Sequence, residues 1–361
     1  MAIPYSRTIV GGLPWYSVLI VVGIAVAVFL ASREERRLDL PRDTAVDLAL
    51  VVVPCGIVGA RLYYAAMSWE HFAHNPISVL YVWEGGIAIY GAVIGGAIGA
   101  WLYVRKKKLS FSSVADMIAP GLLLAQAIGR WGNYFNMEAY GPRVMDERLQ
   151  FFPMAVLIPA EGGYAWHAAT FFYESMWNLL GFCALWSMRK TLYKKGNAFL
   201  WYLLIYGSGR FIIEQLRQDS LYIGALRASQ WLSLILCVAA ASVLVRNRYG
   251  KGKKHSFTCF ACVMLWLLRW ACLNLHGGYI LCMLAADLLA IWLVRRYKTA
   301  LAYLALAVVI DGAGLLLVLA QWPVGPNFAA QLHAAASSIT LLLGMWALTG
   351  SREELYGGRV R

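Results

Sequence analysis

Long apolar runs dominate the chain, and short segments rich in charged residues, glycine or proline separate them. The runs are continuously apolar, as in Leu19–Leu30, and they approach the length of about 20 residues that a helix needs to cross a bilayer. A transmembrane β-barrel would instead require short segments of alternating polarity. The pattern therefore predicts an all-α, polytopic helical membrane protein. Eleven spans are predicted, at residues 13–31, 45–66, 86–104, 113–129, 170–188, 197–214, 228–245, 257–275, 278–294, 299–321 and 331–349.

Polar residues are distributed unevenly between the two parts of the chain. In residues 1–250 they recur inside and beside the predicted spans, whereas in residues 251–361 Arg269, Asp287 and Asp311 are nearly alone in apolar sequence. The sequence therefore predicts a seven-span membrane core followed by a C-terminal extension of about four spans. Hydrogen bonding between helices, or pairing with Arg269, is favoured over an ion path as the explanation for the two acids of the extension. The sequence assigns the extension no function.

The composition excludes an ordinary soluble protein. Hydrophobic residues make up 60% of the chain and charged residues 14%, whereas soluble domains have about 45–50% and about 25%. The net charge of +13 does not indicate nucleic-acid binding, because the basic residues lie between spans rather than on one soluble face. The seven cysteines lie in or beside apolar spans, so neither a disulfide framework nor a metal site is predicted.

The basic clusters predict the orientation in the membrane. Placing alternate loops in the cytoplasm gathers six basic groups there, including Arg105–Lys108 and Arg189–Lys195, as the positive-inside rule requires. The amino terminus is then outside and the carboxyl terminus inside. Residues 67–85 and 131–170, which contain charged and aromatic residues, fall on the outer side. We expect them to form a small extracytoplasmic cap, mainly from residues 131–170.

Ionisable residues inside the predicted spans are the first candidates for function. A central Arg, Lys or Asp costs roughly 2.5–3.5 kcal/mol on insertion scales, so each such residue is a functional candidate. Two explanations stay open for every one: a role in a site, or mutual neutralisation of an Arg and a Glu that holds helices together. Five such residues precede the extension: Arg61, Arg130, Glu174, Arg210 and Glu214.

The segment Gly129–Gly141 concentrates polar side chains at the end of a predicted span. It contains Arg130, two asparagines at Asn133 and Asn136, and Glu138, and its glycines permit close approach of the backbone to a ligand. The asparagine amides offer both donors and acceptors. Irregular polar backbone at membrane depth is tolerated where it lines a cavity, so we expect a polar site here.

A second polar group lies in the segment Tyr206–Asp219. Arg210, Glu214 and Arg217 are spaced i, i+4 and i+7, so the sequence predicts that they share one helix face. Two arginines separated by a carboxylate suit an anion, because guanidinium stays charged and can bind two oxygens of a phosphate at once. Arg130 from another helix is expected to complete the site.

Glycines and a tyrosine mark a third region. Gly91, Gly95 and Gly99 recur every four residues, the pattern that lets membrane helices approach closely, and packing is their favoured role. Tyr90 lies at the outer start of this helix, where a role in a site and a place in the interfacial aromatic belt are both open. For Tyr16, near the outer end of the first span, the site is favoured.

Taken together, these segments resemble the prolipoprotein diacylglyceryl transferase family of bacterial membrane enzymes. The likeness covers residues 13–246, and Gly129–Gly141 is its most specific part; His167–Ser175 and Tyr206–Asp219 contribute further matches. The resemblance implies transfer of the diacylglyceryl group of phosphatidylglycerol to the lipobox cysteine thiol of a prolipoprotein, giving a thioether and glycerol phosphate. It also implies a place in the bacterial cytoplasmic membrane, an active site toward the extracytoplasmic leaflet, contact with membrane lipids and the prolipoprotein signal peptide, and no cofactor.

The resemblance further implies roles for individual residues. Arg130 would bind the lipid headgroup or phosphate, and Arg210 would stabilise the phosphate leaving group. Many family members have His where this chain has Tyr90, so the identity of the general base stays open. The catalytic residues expected are Arg130, Arg210, Tyr90 and Tyr16. The substrate-binding residues expected are Arg130, Asn133, Asn136, Glu138, Gly141, Tyr206, Glu214 and Arg61.

Two other functions compete with the transferase. A lipid transporter or flippase could also use intramembrane arginines, but such transporters usually contain internal repeats, and the two halves of this sequence show no self-similarity. A catalytically inactive scaffold would have little use for polar groups that are so costly to place in a membrane. The transferase is therefore the predicted function.

Overall fold

Helices form most of the protein in the computed structural model. The structure describes residues 6–9, 12–82, 85–160, 163–192, 194–217, 222–223, 226–249, 338–339, 342 and 345. The helices are α1 (Trp15–Glu35), α2 (Thr44–Met67), α3 (Trp69–Phe72), α4 (Ile89–Lys106), α5 (Phe111–Asn136), α6 (Thr170–Met188), α7 (Asn197–Ile213) and α8 (Ala228–Tyr249). Short 3₁₀ turns lie at Pro76–Leu80, Glu147–Leu149 and Glu214–Leu216.

The first seven predicted spans each fall on one of the long helices, and α6 has the predicted bounds. Four helices, α1, α2, α5 and α8, are long and apolar enough to cross a membrane. The described part of the chain is therefore mostly helical, as a multi-pass membrane protein requires. The spans predicted at 257–275, 278–294 and 299–321, with Arg269, Asp287 and Asp311, lie outside the described residues. Within the span predicted at 331–349, the structure describes Ser338, Ile339, Leu342 and Met345, all with helical backbone.

The prediction of an all-α fold is wrong in one respect, because two antiparallel hairpins interrupt the helices. Strand β1 (Ala155–Ala160) pairs with β2 (Gly163–Ala168), and the short strands β3 (Tyr222–Ile223) and β4 (Leu226–Arg227) pair in the same sense. The first hairpin lies in the segment expected to form the cap. A segment outside the hydrocarbon region need not satisfy its backbone within a helix, and β-branched residues such as Val156 favour strands.

The first hairpin packs on the adjoining ends of α5 and α6. Val156 and Ile158 belong to a buried cluster with Tyr134 on α5 and Phe171 on α6. Trp131 meets Phe171 edge-on, with ring centroids 5.6 Å apart. Burial of these aromatic side chains holds the hairpin against the end of α5, which carries the polar Asn and Glu residues singled out in the sequence.

The described helices fall into two units. The first comprises Met1–Gly23 and Leu123–Arg361, and the second comprises Ile24–Leu122. The first unit therefore contains both hairpins, the last part of α5, and α6, α7 and α8. The second contains α2, α3 and α4.

Within the second unit, α2 and α4 cross at very close range. A Cβ atom on Gly91 would lie 2.3 Å from the Gly59 carbonyl oxygen, and a Cβ atom on Gly95 would lie 2.3 Å from the Cys55 carbonyl oxygen. Such distances are far below van der Waals contact, so the two backbones could not approach in this way with a larger residue at either position. The predicted packing role of the glycine repeat is confirmed.

Candidate active site

Two hydrogen bonds between helices connect α6 to α5 and to α7 within the first unit, close to Glu174. The Ser175 hydroxyl on α6 donates to the Ala127 carbonyl oxygen on α5 at 2.8 Å. The Trp177 indole N–H, also on α6, donates to the Ile205 carbonyl oxygen on α7 at 2.7 Å. Polar side chains that bond across membrane helices fix their relative height and rotation. Glu174, which directly precedes Ser175, is thereby held between α5 and α7.

Glu174 joins the two arginines that the sequence singles out for catalysis. Arg130 Nη2 on α5 lies 2.7 Å from Glu174 Oε1. Arg210 Nη1 on α7 lies 3.1 Å from Glu174 Oε2 and 3.3 Å from Oε1. One carboxylate therefore holds guanidinium groups from two different helices, and the expectation that Arg130 lies beside Arg210 is confirmed.

Glu214 completes this ionic cluster. Its Oε2 atom lies 2.6 Å from Arg210 Nη2, the predicted i, i+4 pairing. The two positive and two negative charges of Arg130, Arg210, Glu174 and Glu214 add up to zero. The carboxylate side chains are 4% and 5% exposed, but those of Arg130 and Arg210 are 20% and 14% exposed. The acids of the cluster are therefore more deeply buried than its arginines.

The prediction that Arg217 shares the helix face of Arg210 and Glu214 is wrong. Helix α7 ends at Ile213, and a 3₁₀ turn follows over Glu214–Leu216. Arg217 has extended backbone, with φ −79° and ψ 144°. The i+7 relation holds only within a continuous α-helix, so Arg217 leaves the face on which the other two side chains lie.

The end of α5 carries a second polar group, built around Glu138. The Asn133 and Asn136 side-chain amides both donate to Glu138 Oε1, at 2.9 Å and 3.3 Å. Since α5 continues through Asn136, the prediction was wrong in ending the span before these asparagines. Irregular backbone begins at Met137, which has a left-handed φ of 54°, as Ala139 does with 55°. This reversal brings Glu138 back to the last turn of the helix.

Tyr16 on α1 packs against the same end of α5. Its ring covers Gly132, where a Cβ atom would lie 2.5 Å from the ring carbon Cδ2. The glycine therefore makes room for the tyrosine. Tyr16 therefore packs on the last turns of α5, the helix that also carries Arg130, Asn133 and Asn136.

Gly141 connects the site segment to its surroundings. Its N–H donates to the Ala168 carbonyl oxygen at 2.9 Å, and its own carbonyl oxygen lies 2.9 Å from His167 Nδ1. A Cβ atom at this position would lie 3.0 Å from Thr170 Cγ2. These contacts attach the segment to β2 and to the start of α6, and they favour a scaffolding role for Gly141 over direct substrate contact.

Tyr206 lies one helical turn before Arg210 on α7. Its ring stacks on that of Tyr202, with centroids 6.0 Å apart and an interplanar angle of 11°. The Tyr202 hydroxyl accepts a hydrogen bond of 3.0 Å from the side-chain amide of Gln126, which lies one turn before Arg130 on α5. A layer of polar side chains therefore supports the ionic cluster from the next turn of both helices.

Arg61 and its neighbours belong to the second unit. Arg61 Nε donates to the Val79 carbonyl oxygen at 2.8 Å, and Nη2 donates to that of Ser78 at 2.7 Å. Nη1 donates to the carbonyl oxygens of Gly85 and Gly86. Each of these acceptors is a backbone oxygen between α3 and α4. The contacts favour a structural role for Arg61 over the predicted substrate binding.

Tyr90 also belongs to the second unit and lies in the first turn of α4, as predicted. Its side chain is 41% exposed, and its ring centroid lies 6.4 Å from that of Tyr63 on α2. The side chain is therefore accessible, and its catalytic role stays a prediction.

Glu174 is the residue that sequence reasoning left out of the predicted site. The sequence marks it as an acid inside an apolar span, but Arg210 is 36 residues away and no local spacing connects the two. A charge-balance argument could have found it, because two intramembrane arginines require nearby acids.

The chain is similar to known proteins over the region that contains this site. The family model described as prolipoprotein diacylglyceryl transferase matches residues 7–246. The phosphatidylglycerol–prolipoprotein diacylglyceryl transferase of Shouchella clausii is 46% identical over 237 residues, which cover 65% of this chain and 86% of the relative. Those of Enterococcus faecalis and Bacillus cereus are 44% identical over 250 residues and 40% identical over 246 residues; each alignment covers 67% of this chain and 90% of the relative. The matched region contains the whole ionic cluster and the Glu138 group, and the chain belongs to the prolipoprotein diacylglyceryl transferase family.

Proposed function

We propose that this protein transfers the diacylglyceryl group of phosphatidylglycerol to the lipobox cysteine thiol of a prolipoprotein, the first step of lipoprotein maturation. The sulfur electron pair forms a C–S bond to the terminal glycerol carbon of the diacylglyceryl group, and the bond from that carbon to the phosphate oxygen breaks. Glycerol phosphate leaves with the electron pair of that bond. The thiol proton passes to a base or to the released phosphate. Family membership supports this reaction, and the names of the three relatives give phosphatidylglycerol and a prolipoprotein as its substrates.

The observation that carries the proposal is the meeting of Arg130 and Arg210 at Glu174. Guanidinium groups are suited to phosphate, because each can donate to two oxygens in a fixed geometry. Two of them from different helices can hold one phosphate from two directions. Both acids are buried, so a lipid phosphate would approach the exposed side of the guanidinium groups.

The two arginines have different proposed tasks. Arg130 binds the phosphate of the lipid, and Arg210 stabilises the negative charge that develops on the leaving oxygen. Charges that are already oriented in a partly dry site stabilise such a transition state far more than water does. Glu138, which two asparagine amides hold in place, is proposed to accept a hydrogen bond from a hydroxyl group of the glycerol headgroup.

The thiol needs help to lose its proton. A free cysteine has a pKa near 8.5, so it is mostly protonated at neutral pH. Tyr16 is proposed to orient the thiol or a phosphate oxygen by hydrogen bonding. A hydrogen-bonding role, rather than that of the base, is proposed separately for the Tyr90 hydroxyl group, because free phenols are poor bases. The guanidinium group of Arg130 is proposed to favour the thiolate by donating a hydrogen bond to the sulfur.

The proposed site faces the extracytoplasmic leaflet. Helix α5 begins shortly after the basic cluster Arg105–Lys108 and ends at the Glu138 group. The positive-inside rule places that cluster in the cytoplasm, so the opposite end of α5 lies toward the outside. The first hairpin, at that end, then forms the cap within residues 131–170, with the amino terminus outside and the carboxyl terminus inside.

A reconstituted assay tests the proposal. Purified full-length protein is supplied with phosphatidylglycerol and a lipobox peptide, and mass spectrometry measures addition of a diacylglyceryl group to the peptide cysteine. Arg130→Ala and Arg210→Ala should abolish the product. Arg148→Ala, which removes an exposed arginine of the cap segment, should still form the product. Absence of product with the unmodified protein would refute the function, whereas product from Arg210→Ala at the normal rate would refute the site.

Two narrower tests accompany this assay. Tyr90→Phe removes only the hydroxyl group, so full activity of this variant would contradict the proposed role of the phenol. Residues 1–250 are proposed as the transferase core and residues 251–361 as an accessory module. A protein shortened to residues 1–250 should still form product, although more slowly, and complete loss of transfer in a folded shortened protein would contradict that division.

A further inference from the structure

The turn of α7 that carries Arg210 is enclosed by three different parts of the first unit. A Cβ atom on Gly207 would lie 2.7 Å from Cys237 Sγ on α8, and one on Gly209 would lie 2.1 Å from Trp177 Nε1 on α6. Ser208, between these glycines, is fully buried. Its carbonyl oxygen accepts a hydrogen bond of 3.3 Å from the hydroxyl group of Ser338. The third contact therefore comes from the C-terminal extension.

The described residues of the extension have the burial pattern of a helix packed on protein. Ser338 and Met345 are fully buried, Leu342 is partly buried, and all three have helical backbone. Positions i, i+4 and i+7 of a helix share one face. Ile339, which lies off that face, is 37% exposed. The buried face is thus the one that carries the Ser338 contact to α7.

We infer that Ser338 is a positioning residue, through which the C-terminal extension holds the turn Gly207–Gly209 and therefore the Arg210 side chain. The buried hydroxyl group needs an acceptor in an apolar environment, and the Ser208 carbonyl oxygen supplies it. The family match ends at residue 246, so this contact comes from a part of the chain beyond the matched region. The catalytic half of the inference rests on the proposed role of Arg210, whereas the contact itself does not.

Photo-crosslinking tests the contact independently of activity. Benzoylphenylalanine is incorporated into the full-length protein at position 338 or at position 339, the membranes are irradiated, and crosslinked peptides are mapped by mass spectrometry. Position 338 should crosslink to a peptide of α7 (Asn197–Ile213), and the adjacent position 339 should not. Crosslinks from position 338 to other segments alone, or equal α7 crosslinks from both positions, would overturn the contact.

Transfer kinetics test the positioning role. Ser338→Phe pushes a bulky ring against Ser208, whereas Ile339→Phe adds the same ring on the exposed side. We expect kcat of the Ser338→Phe protein to fall at least about tenfold, since misplacement of a catalytic group by about 1 Å can cost about a hundredfold. KM for phosphatidylglycerol should stay near its normal value, and Ile339→Phe should match the unmodified protein.

A smaller substitution covers the case in which Ser338→Phe does not fold. Ser338→Ala removes only the hydroxyl group and should lower kcat, and Ser338→Thr, which restores a hydroxyl group, should recover it. Equal kcat in Ser338→Ala and the unmodified protein would overturn the positioning role while leaving a crosslinked contact in place. If the unmodified protein forms no product, the proposed function fails, and the crosslink still decides whether the extension packs on α7.

Discussion

Replacement of Glu174 with Gln removes the charge that holds Arg130 and Arg210 together. The carboxylate is 4% exposed and lies 2.7 Å from Arg130 and 3.1 Å from Arg210. The four charges of the ionic cluster add up to zero in the natural protein and to +1 in the variant. The glutamine amide keeps one acceptor oxygen but turns a donor toward a guanidinium group, so at least one arginine loses a contact with residue 174.

The expected loss follows from the burial of the cluster. Removal of one partner from a buried ion pair costs about 3–5 kcal/mol. Because the arginines keep 20% and 14% exposure, solvent reduces this cost, and we expect a loss of about 2 kcal/mol in the free energy of unfolding. An arginine displaced by about 1 Å should lower kcat about a hundredfold. KM for phosphatidylglycerol should not rise, because the added positive charge favours an anion.

Initial transfer rates at varied phosphatidylglycerol concentration, together with thermal unfolding in the same detergent, measure these effects. Ser175→Ala is the matched control on the next residue of α6: it removes one interhelical hydrogen bond, worth about 1 kcal/mol, without changing the charge of the cluster. It should lower the unfolding temperature and reduce kcat far less than Glu174→Gln does. An unchanged kcat in a folded Glu174→Gln protein would refute the bridging role, and a raised KM with normal kcat would limit Glu174 to lipid binding.

Two further predictions concern packing in the second unit. Gly95→Ala places a Cβ atom 2.3 Å from the Cys55 carbonyl oxygen and should reduce the free energy of unfolding by about 1–3 kcal/mol. Gly96→Ala, whose nearest neighbour is at 3.4 Å, should be neutral or stabilising, and equal unfolding temperatures of the two variants would contradict the close crossing. Arg61→Lys keeps the charge but loses the planar fork of donors, so hydrogen exchange of the backbone at residues 78–86 should accelerate; unchanged exchange would contradict the structural role of Arg61.

Apolar patterning predicts the helices well and their ends less well. Membrane helices satisfy their own backbone groups, so about 20 apolar residues predict a helix without knowledge of its neighbours. Hydropathy marks where the hydrocarbon region ends, however, and a helix can continue beyond it. Helix α5 continues through Asn133 and Asn136 to the reversal at Met137, although the apolar run ends before Arg130. The β1–β2 hairpin also escaped prediction, because it lies in a segment without a long apolar run, to which hydropathy assigns no element.

Local spacing predicts only those parts of the site that lie on one helix. The pairing of Arg210 with Glu214 follows from their separation of four residues, and the structure confirms it. The same argument fails for Arg217, because α7 ends at Ile213. The sequence has no glycine or proline there that would have predicted the end of the helix. The role of Glu174 depends on contacts among three helices, α5, α6 and α7. The spacing of residues within one segment cannot predict such contacts.

Two intramembrane arginines that look alike in the sequence differ in what their guanidinium groups contact. Arg61 is 6% exposed, and all three of its nitrogens donate to backbone oxygens, so a phosphate could bind it only after that loop had opened. Arg130 contacts Glu174 through Nη2 and its side chain is 20% exposed, so it is more accessible than Arg61. The cost of placing an arginine in a membrane is similar in both cases, so that cost identifies candidates without ranking them. The acceptors distinguish the two residues. Backbone oxygens surround the Arg61 guanidinium group, whereas Arg130 is held by a carboxylate, beside which an anionic substrate could bind the same guanidinium group.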